Sequence, residues 1–150
     1  MREPLAFEFF DERREYGTLF LRLLIGPFII WGVLDNILSH ERMLEFESFL
    51  AAKGAPFPAF FARLSVYAQF ICGISILLGV FVRLTSVAFI INFIAALIIA
   101  HRGDTFRNMF PGLMMLASGL FFLFHGAGKP SVDEWLATRR EKKAGEIESS

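Results

Sequence analysis

Three side chains that could bind a ligand or transfer protons, Asp35, Gln69 and His101, lie near the ends of three different apolar segments. Ionisable groups inside a membrane are costly, so such residues are by default candidates for function. A histidine beside a carboxylate and an amide can donate hydrogen bonds to a carbonyl oxygen and can pass protons near neutral pH. A quinone head group suits such a site, and these three are our candidate ligand-binding or quinone-binding residues. The alternative is that lipid head groups simply solvate all three.

A second group of charged residues, Arg22, Arg83 and Asp133, lies towards the opposite ends of these segments. Asp133 can neutralise an arginine that would otherwise face lipid, so we expect structural ion pairing that holds the C-terminal segment against the helices. No catalytic residue is predicted. The three histidines have no metal-ligand spacing, and the single Cys72 excludes a Cys-x-x-Cys redox centre. We therefore predict no metal site and no intrinsic cofactor, with quinone as the one candidate small molecule.

Four strongly apolar runs carry these residues, at about 19–38, 64–82, 84–100 and 109–124. A helix needs about 20 mostly apolar residues to cross the hydrocarbon core of a membrane. Backbone polar groups must all be bonded in lipid, so each run is predicted to be a transmembrane helix. The third run has no polar stripe at the helical period, which argues against a water-soluble bundle.

The predicted fold is all-α: an integral membrane four-helix bundle with a short amphipathic interfacial helix between spans 1 and 2. That short helix is expected over 42–50, where apolar residues recur at helical spacing. Residues 1–16 are predicted to be an interfacial or unstructured segment, 17–137 the transmembrane domain, and 138–150 a charged tail. Ser131 with Glu134 three residues later makes a capping box, which predicts a further short helix near 132–140.

Charge indicates the orientation and the partners. Lysine and arginine divide ten to five between the two sides of the predicted bundle, so both termini are expected in the cytoplasm. The formal net charge is zero and no basic stripe occurs, so nucleic acid is not an expected partner. We expect contact with the lipid bilayer and with a membrane-protein partner or a second copy of the chain.

Several short motifs follow one another in a fixed order, and together they resemble the DoxX family (DoxX/DoxD-like small four-helix membrane proteins) over about 19–135. They are Leu21-Arg22-Leu23 with Gly26 and Gly32, Lys53-Gly54-Ala55-Pro56, Gly73-x-x-x-Leu77-Leu78-Gly79 with Arg83-Leu84, His101, and Gly126-x-Gly128-x-x-Ser131-x-Asp133. The last of these is similar to a C-terminal signature of the family. Asn36 and Gln69 stand where many members carry a lysine and a glutamate.

The resemblance implies a bacterial or archaeal inner (plasma) membrane location and a link to respiratory or redox chemistry. One relative belongs to a thiosulfate:quinone oxidoreductase, and members have been described as subunits of a terminal quinol oxidase. We therefore expect a membrane subunit of a quinone-linked redox or respiratory system that binds quinone or a partner protein rather than catalysing alone. The alternative is a non-catalytic structural accessory subunit of a larger membrane complex. A small transporter is a weaker alternative, because no internal inverted repeat is evident.

Overall fold

The structure, a computed structural model, describes residues 13–148 and the side chains of residues 13–142. These residues form six α-helices: α1 Gly17–Leu38, α2 His40–Ala52, α3 Pro58–Leu78, α4 Val82–Ile99, α5 Phe106–His125 and α6 Val132–Glu148. A single 3-10 turn, Arg14–Tyr16, precedes α1. No strand occurs between residues 13 and 148, and the predicted all-α fold is confirmed.

Four of these helices, α1, α3, α4 and α5, are long and apolar enough to cross a membrane. The most apolar is α4, with a mean hydropathy of 2.2, and only 17% of its residues in that window are buried within the protein. Its exposed side chains are large and apolar, among them Leu84, Ile91 and Ile98. Such a surface is stable in lipid and not in water, so the chain is a multi-pass membrane protein.

The bundle consists of two closely packed helix pairs, α1 with α3 and α4 with α5, which share one core. Small residues bring α1 and α3 together. A Cβ at Gly26 would lie 2.9 Å from Cβ of Leu77, and a Cβ at Gly73 would lie 2.8 Å from Cγ1 of Ile30. Glycine at both positions therefore lets the two helices pack closely, as small residues do in membrane bundles.

The two ends of the bundle are named here by the helices that lie there. At the α2 end, α1 is followed by α2, and the α4–α5 loop carries His101. At the α6 end, Gly79–Phe81 join α3 to α4, and α6 begins. The backbone N–H of Lys129 donates to the carbonyl of Glu15 over 3.3 Å, so the segments before α1 and before α6 lie at the same end. The cytoplasmic orientation of that end stays a prediction.

The predicted interfacial helix corresponds to α2. Ser39 caps it, since its Oγ accepts a hydrogen bond from the N–H of Arg42 over 3.4 Å. The helix buries Met43 and Leu50 in a small apolar cluster with residues of α1 and α3, which are Val33, Ala62 and Val66. Most of its other side chains are exposed. One apolar face is thus packed on the bundle, and the exposed residues include both charged side chains and the apolar Leu44 and Phe49.

Three helix boundaries differ from the sequence prediction by at least four residues. Helix α3 begins at Pro58, six residues before the predicted start of span 2, because proline fits the first turn of a helix, where its missing N–H has no partner to lose. It ends at Leu78, with Gly79 in the left-handed conformation that terminates helices. Helix α6 continues to Glu148, through the predicted tail, whose Arg, Lys, Glu and Ala residues favour helix. Of the predicted segment 1–16, only residues 13–16 belong to the described part of the chain.

Candidate functional site

Two of the three predicted ligand residues, Gln69 and His101, line one cavity that extends from the middle of the bundle towards the α2 end. Its volume is about 200 Å³, and it lies among α1, α3, α4 and α5. We call it the central cavity. Apart from these two residues its walls are apolar or small: Phe28, Ile29, Gly32, Phe93, Ala96, Pro111, Gly112 and Met115. The Nε2 of Gln69 donates to Oγ of Ser65 over 3.0 Å, which uses one of the two donors of the amide.

A short polar chain orients His101 at this cavity. Nδ1 of His101 lies 3.0 Å from Oδ2 of Asp104, and Nζ of Lys53 lies 3.3 Å from Oδ1 of the same carboxylate. The hydrogen bonds from His101 and Lys53 hold the pKa of Asp104 below its usual value. An ionised Asp104 only accepts, so Nδ1 of His101 carries the proton in this pair and Nε2 is left to accept or, once protonated, to donate.

Asp35 lies apart from the residues that line the central cavity. Its side chain is exposed, and Oδ1 accepts a hydrogen bond from the N–H of Asn36 over 2.9 Å. The carboxylate beside His101 is Asp104 instead, three residues later in the chain. The His-x-x-Asp spacing of His101 and Asp104 is a signal in the sequence that identifies this pair. Asp35 as a ligand-binding residue therefore stays a prediction without support from the cavity lining.

At the α6 end, Arg22 is buried, with 2% of its surface exposed. Its guanidinium donates four hydrogen bonds, all to backbone carbonyls. Nε and Nη2 bind the last carbonyls of α3, at Ile76 over 2.8 Å and Leu77 over 2.9 Å. Nη1 binds the carbonyls of Ala127 over 3.1 Å and Pro130 over 2.7 Å in the α5–α6 loop. One arginine on α1 thus caps α3 and fixes the loop before α6.

Asp133 caps the N-terminus of α4. Its Oδ1 accepts from the N–H of Phe81 over 2.8 Å and its Oδ2 from the N–H of Val82 over 3.1 Å. A carboxylate at a helix N-terminus satisfies unpaired N–H groups and interacts favourably with the helix dipole. Asp133 also attracts Arg22 electrostatically. Arg22 and Asp133 therefore both hold the C-terminal segment against the bundle. They do so through hydrogen bonds with backbone groups rather than through the ion pair that the sequence predicts.

Glycine is required where this network is tightest. Gly79 has φ of +72°, and a Cβ there would lie 2.6 Å from both Nη2 of Arg22 and Cβ of Ser131. Gly128 has φ of +64°, and a Cβ there would lie 2.7 Å from the carbonyl oxygen of Glu15. Any larger residue would strain the backbone and push the guanidinium or the loop away. We call Arg22, Gly79, Gly128, Ser131 and Asp133 the arginine knot.

Arg83 and Lys129 lie at the margin of the knot. Arg83 is exposed, and its Nη2 makes one long hydrogen bond of 3.5 Å to the carbonyl of Phe124. Nζ of Lys129 lies 3.3 Å from Oε2 of Glu15 and 3.5 Å from Oε1 of Glu134. The hydrogen bond and the charge of Glu15, followed by those of Glu134, raise the pKa of Lys129. Among the side chains of residues 13–142, no three His, Cys, Asp or Glu groups are placed together to hold a metal ion.

A comparison with known protein families identifies the family of this chain. The family model DoxX matches residues 17–102, more than half of the chain. The chain belongs to the DoxX family. The matched part of this DoxX chain contains α1 to α4 and ends just after His101, so it includes Arg22 and Gln69. No curated protein matches it, and no solved structure matches it.

The family motifs have a clear structural meaning in this DoxX chain. Gly26 and Gly73 are the residues at which α1 and α3 meet, and Arg22 is the centre of the knot. The Gly126-to-Asp133 motif lies beyond the matched residues, yet it supplies the carbonyls and the carboxylate that bind Arg22 and cap α4. These residues maintain the fold, whereas two other motif residues, Gly32 and His101, line the central cavity.

Proposed function

We propose that this DoxX protein is a membrane subunit of a quinone-linked redox or respiratory system, and that it binds a quinone head group in the central cavity rather than catalysing alone. The observation that carries the proposal is that Gln69 and His101 line one cavity of about 200 Å³ that extends towards the α2 end. Gln69 keeps one amide N–H that can donate to a carbonyl oxygen, and Nε2 of His101 can accept from a quinol hydroxyl or, once protonated, donate to a quinone carbonyl.

The dimensions of the cavity favour a head group over a whole isoprenoid molecule. Pockets for drug-sized ligands have volumes of roughly 300–1,000 Å³, and the central cavity is smaller. Its largely apolar walls suit a ring, and a long tail would extend between helices into lipid. His101, held by Asp104 through Nδ1, can accept a hydrogen bond from the quinol at Nε2 or, once Nε2 is protonated, donate to a quinone carbonyl.

The test measures bound quinone in the full chain reconstituted in nanodiscs with decylubiquinone. We expect His101→Ala and Gln69→Leu each to lower quinone occupancy about fivefold, since one hydrogen bond of about 1 kcal/mol corresponds to that factor. His40→Ala is the matched control, because His40 is an exposed histidine at the same end and does not line the cavity. Asp35→Ala tests the one residue of the site predicted from the sequence that does not line the cavity, and we expect it to leave quinone occupancy unchanged.

Occupancy that is equal in all four variants, or no quinone bound to the wild-type chain, would overturn this assignment. The structural accessory subunit is the second candidate, favoured by the exposed apolar faces of α4. Native mass measurement of a mild-detergent extract distinguishes it. A defined larger complex that binds no quinone favours the accessory role, and a monomer or a simple homodimer argues against it.

A further inference from the structure

A second cavity lies between α3 and α4, and α2 closes one end of it. Its volume is about 330 Å³. We call it the α3–α4 groove. The small side chains of Ala68 on α3 and of Ala88 and Ala95 on α4 leave this space, and larger residues such as Phe46, Leu50 and Phe61 line its end near α2. A mostly apolar cavity of this size with few polar groups is typical of small-molecule sites.

One polar group in the groove has no partner. Asn92 lines it, and among the described residues its Nδ2 donates to no hydrogen-bond acceptor, although solvent does not reach the atom. The other polar lining residue, Ser65, already accepts a hydrogen bond from Gln69. Unpaired donors in an apolar environment are unfavourable, so Asn92 favours an occupant that supplies an acceptor.

The depth of Asn92 restricts the chemistry of that occupant. It lies seven residues before the end of α4 and ten after the start, or about 10 Å and about 15 Å along the helix. The hydrocarbon core is about 30 Å thick, so Asn92 lies well inside it. Phospholipid ester oxygens lie in the interfacial region outside that core. An acceptor at this depth therefore belongs to a neutral molecule that is dissolved in the membrane interior.

We propose that the α3–α4 groove binds a neutral, lipid-soluble carbonyl compound, with Asn92 donating a hydrogen bond to its carbonyl oxygen. The amide turns readily about its last side-chain torsion, so it can present Nδ2 to an occupant. The apolar body of the ligand packs on Ala68 and Ala95. The site is separate from the central cavity, although both are lined by Ala96 of α4, and it extends beyond the proposed function.

The test uses benzophenone, a neutral lipid-soluble ketone that attaches covalently to nearby C–H bonds under ultraviolet light. The full chain is labelled in nanodiscs, and the labelled peptides are mapped by mass spectrometry. Two competitors isolate the carbonyl: laurone, a long-chain ketone with its carbonyl at mid-chain, and the alkane tricosane of equal length. We expect labelling to concentrate on α3 and α4 around Leu64–Ala68 and Ile91–Ala95. Laurone should displace it about fivefold more effectively than tricosane.

Two variants complete the test. Asn92→Leu keeps the side-chain size and removes the donor, so the advantage of laurone over tricosane should disappear. Ala68→Leu fills the groove and keeps Asn92, so labelling there should fall. The control His40→Ala, at an exposed position outside the groove, should leave it unchanged. Equal displacement by ketone and alkane in the wild-type chain would overturn the proposal, because the groove would then bind only acyl chains. Labelling that is absent from the groove, as when a second copy covers it, would overturn it as well.

Discussion

Replacement of Arg22 by methionine is the strongest test of the fold, because methionine keeps an unbranched apolar stem and removes every donor. Two of the carbonyls that Arg22 binds, those of Ile76 and Ala127, are in buried hydrogen bonds. The carbonyl of Ile76 still accepts from the N–H of Gly79 over 3.3 Å, whereas the carbonyl of Ala127 is left unpaired. A buried acceptor left unpaired costs about 1–3 kcal/mol, so we expect the free energy of unfolding to fall by at least about 1–3 kcal/mol. The carbonyls of Leu77 and Pro130 are only partly buried, and water can replace part of their bonding.

The two tryptophans of the chain allow the loss to be located. Trp135 lies on α6 next to the knot, with Cζ of Arg139 3.9 Å from its ring centroid, and Trp31 lies on α1 with 83% of its surface exposed. A Trp31→Phe background leaves Trp135 as the single reporter. Unfolding by sodium dodecyl sulfate in maltoside micelles, followed by Trp135 fluorescence, measures the release of α6. Far-ultraviolet circular dichroism measures the loss of helix in the same titration.

We expect the Arg22→Met variant to lose the Trp135 signal before it loses the helical signal, because the knot connects α6 to the bundle. Arg83→Met is the matched control. Arg83 is an exposed arginine at the same end with one long hydrogen bond, so its replacement should change the free energy of unfolding by less than about 0.5 kcal/mol. Equal losses for the two variants, or coincident fluorescence and dichroism transitions, would refute the assigned role of Arg22.

Three further predictions concern single residues. Gly79→Ala should lower the unfolding midpoint far more than Gly17→Ala, since nothing lies within 4 Å of a Cβ at Gly17, and equal thermal midpoints in micelles would contradict this. Asp133→Asn should cost about 1 kcal/mol in detergent unfolding, because one of the two cap acceptors becomes a donor, and an unchanged value would argue against the cap. The lowered pKa of Asp104 stabilises the fold above the pKa of the unfolded state, and that stabilisation is lost as the pH falls through the folded-state pKa. Thermal midpoints measured from pH 7 down to about pH 3 should therefore fall less steeply in Asp104→Asn than in the wild type, and parallel profiles would disprove the assignment.

The transmembrane helices are predictable because lipid, as their solvent, requires a long apolar segment in the sequence. A run of about 20 apolar residues has few alternatives to a membrane helix, and all four predicted runs correspond to helices. The boundaries are less predictable. Pro58 is a helix breaker in the interior of a helix and a helix starter in its first turn, and sequence alone does not distinguish the two contexts.

The partners of Arg22 were not predictable, because they are backbone carbonyls. Every residue has a backbone carbonyl, so the sequence does not indicate which carbonyls an arginine will bind. A carboxylate side chain such as Asp133 can be read from the sequence, and it is therefore the partner that the sequence predicts. The position of Asp35 outside the cavity could have been predicted from the sequence. The buried residues of α1, from Arg22 through Ile25 and Ile29 to Val33, follow one helical stripe, and Asp35 lies off that stripe.

The hydrogen-bond inventory separates the structural polar residues of this membrane protein from the candidate binding residues. Arg22 uses four of its five N–H donors on carbonyls, so little remains for a ligand. His101 has one ring nitrogen engaged by Asp104, and Gln69 has one amide donor engaged by Ser65, while both line a cavity. The hydrogen-bonding capacity that these two side chains leave unused beside the cavity is available to an occupant. The α6 end of the bundle is therefore where the fold is secured, and the α2 end is where a ligand is to be sought.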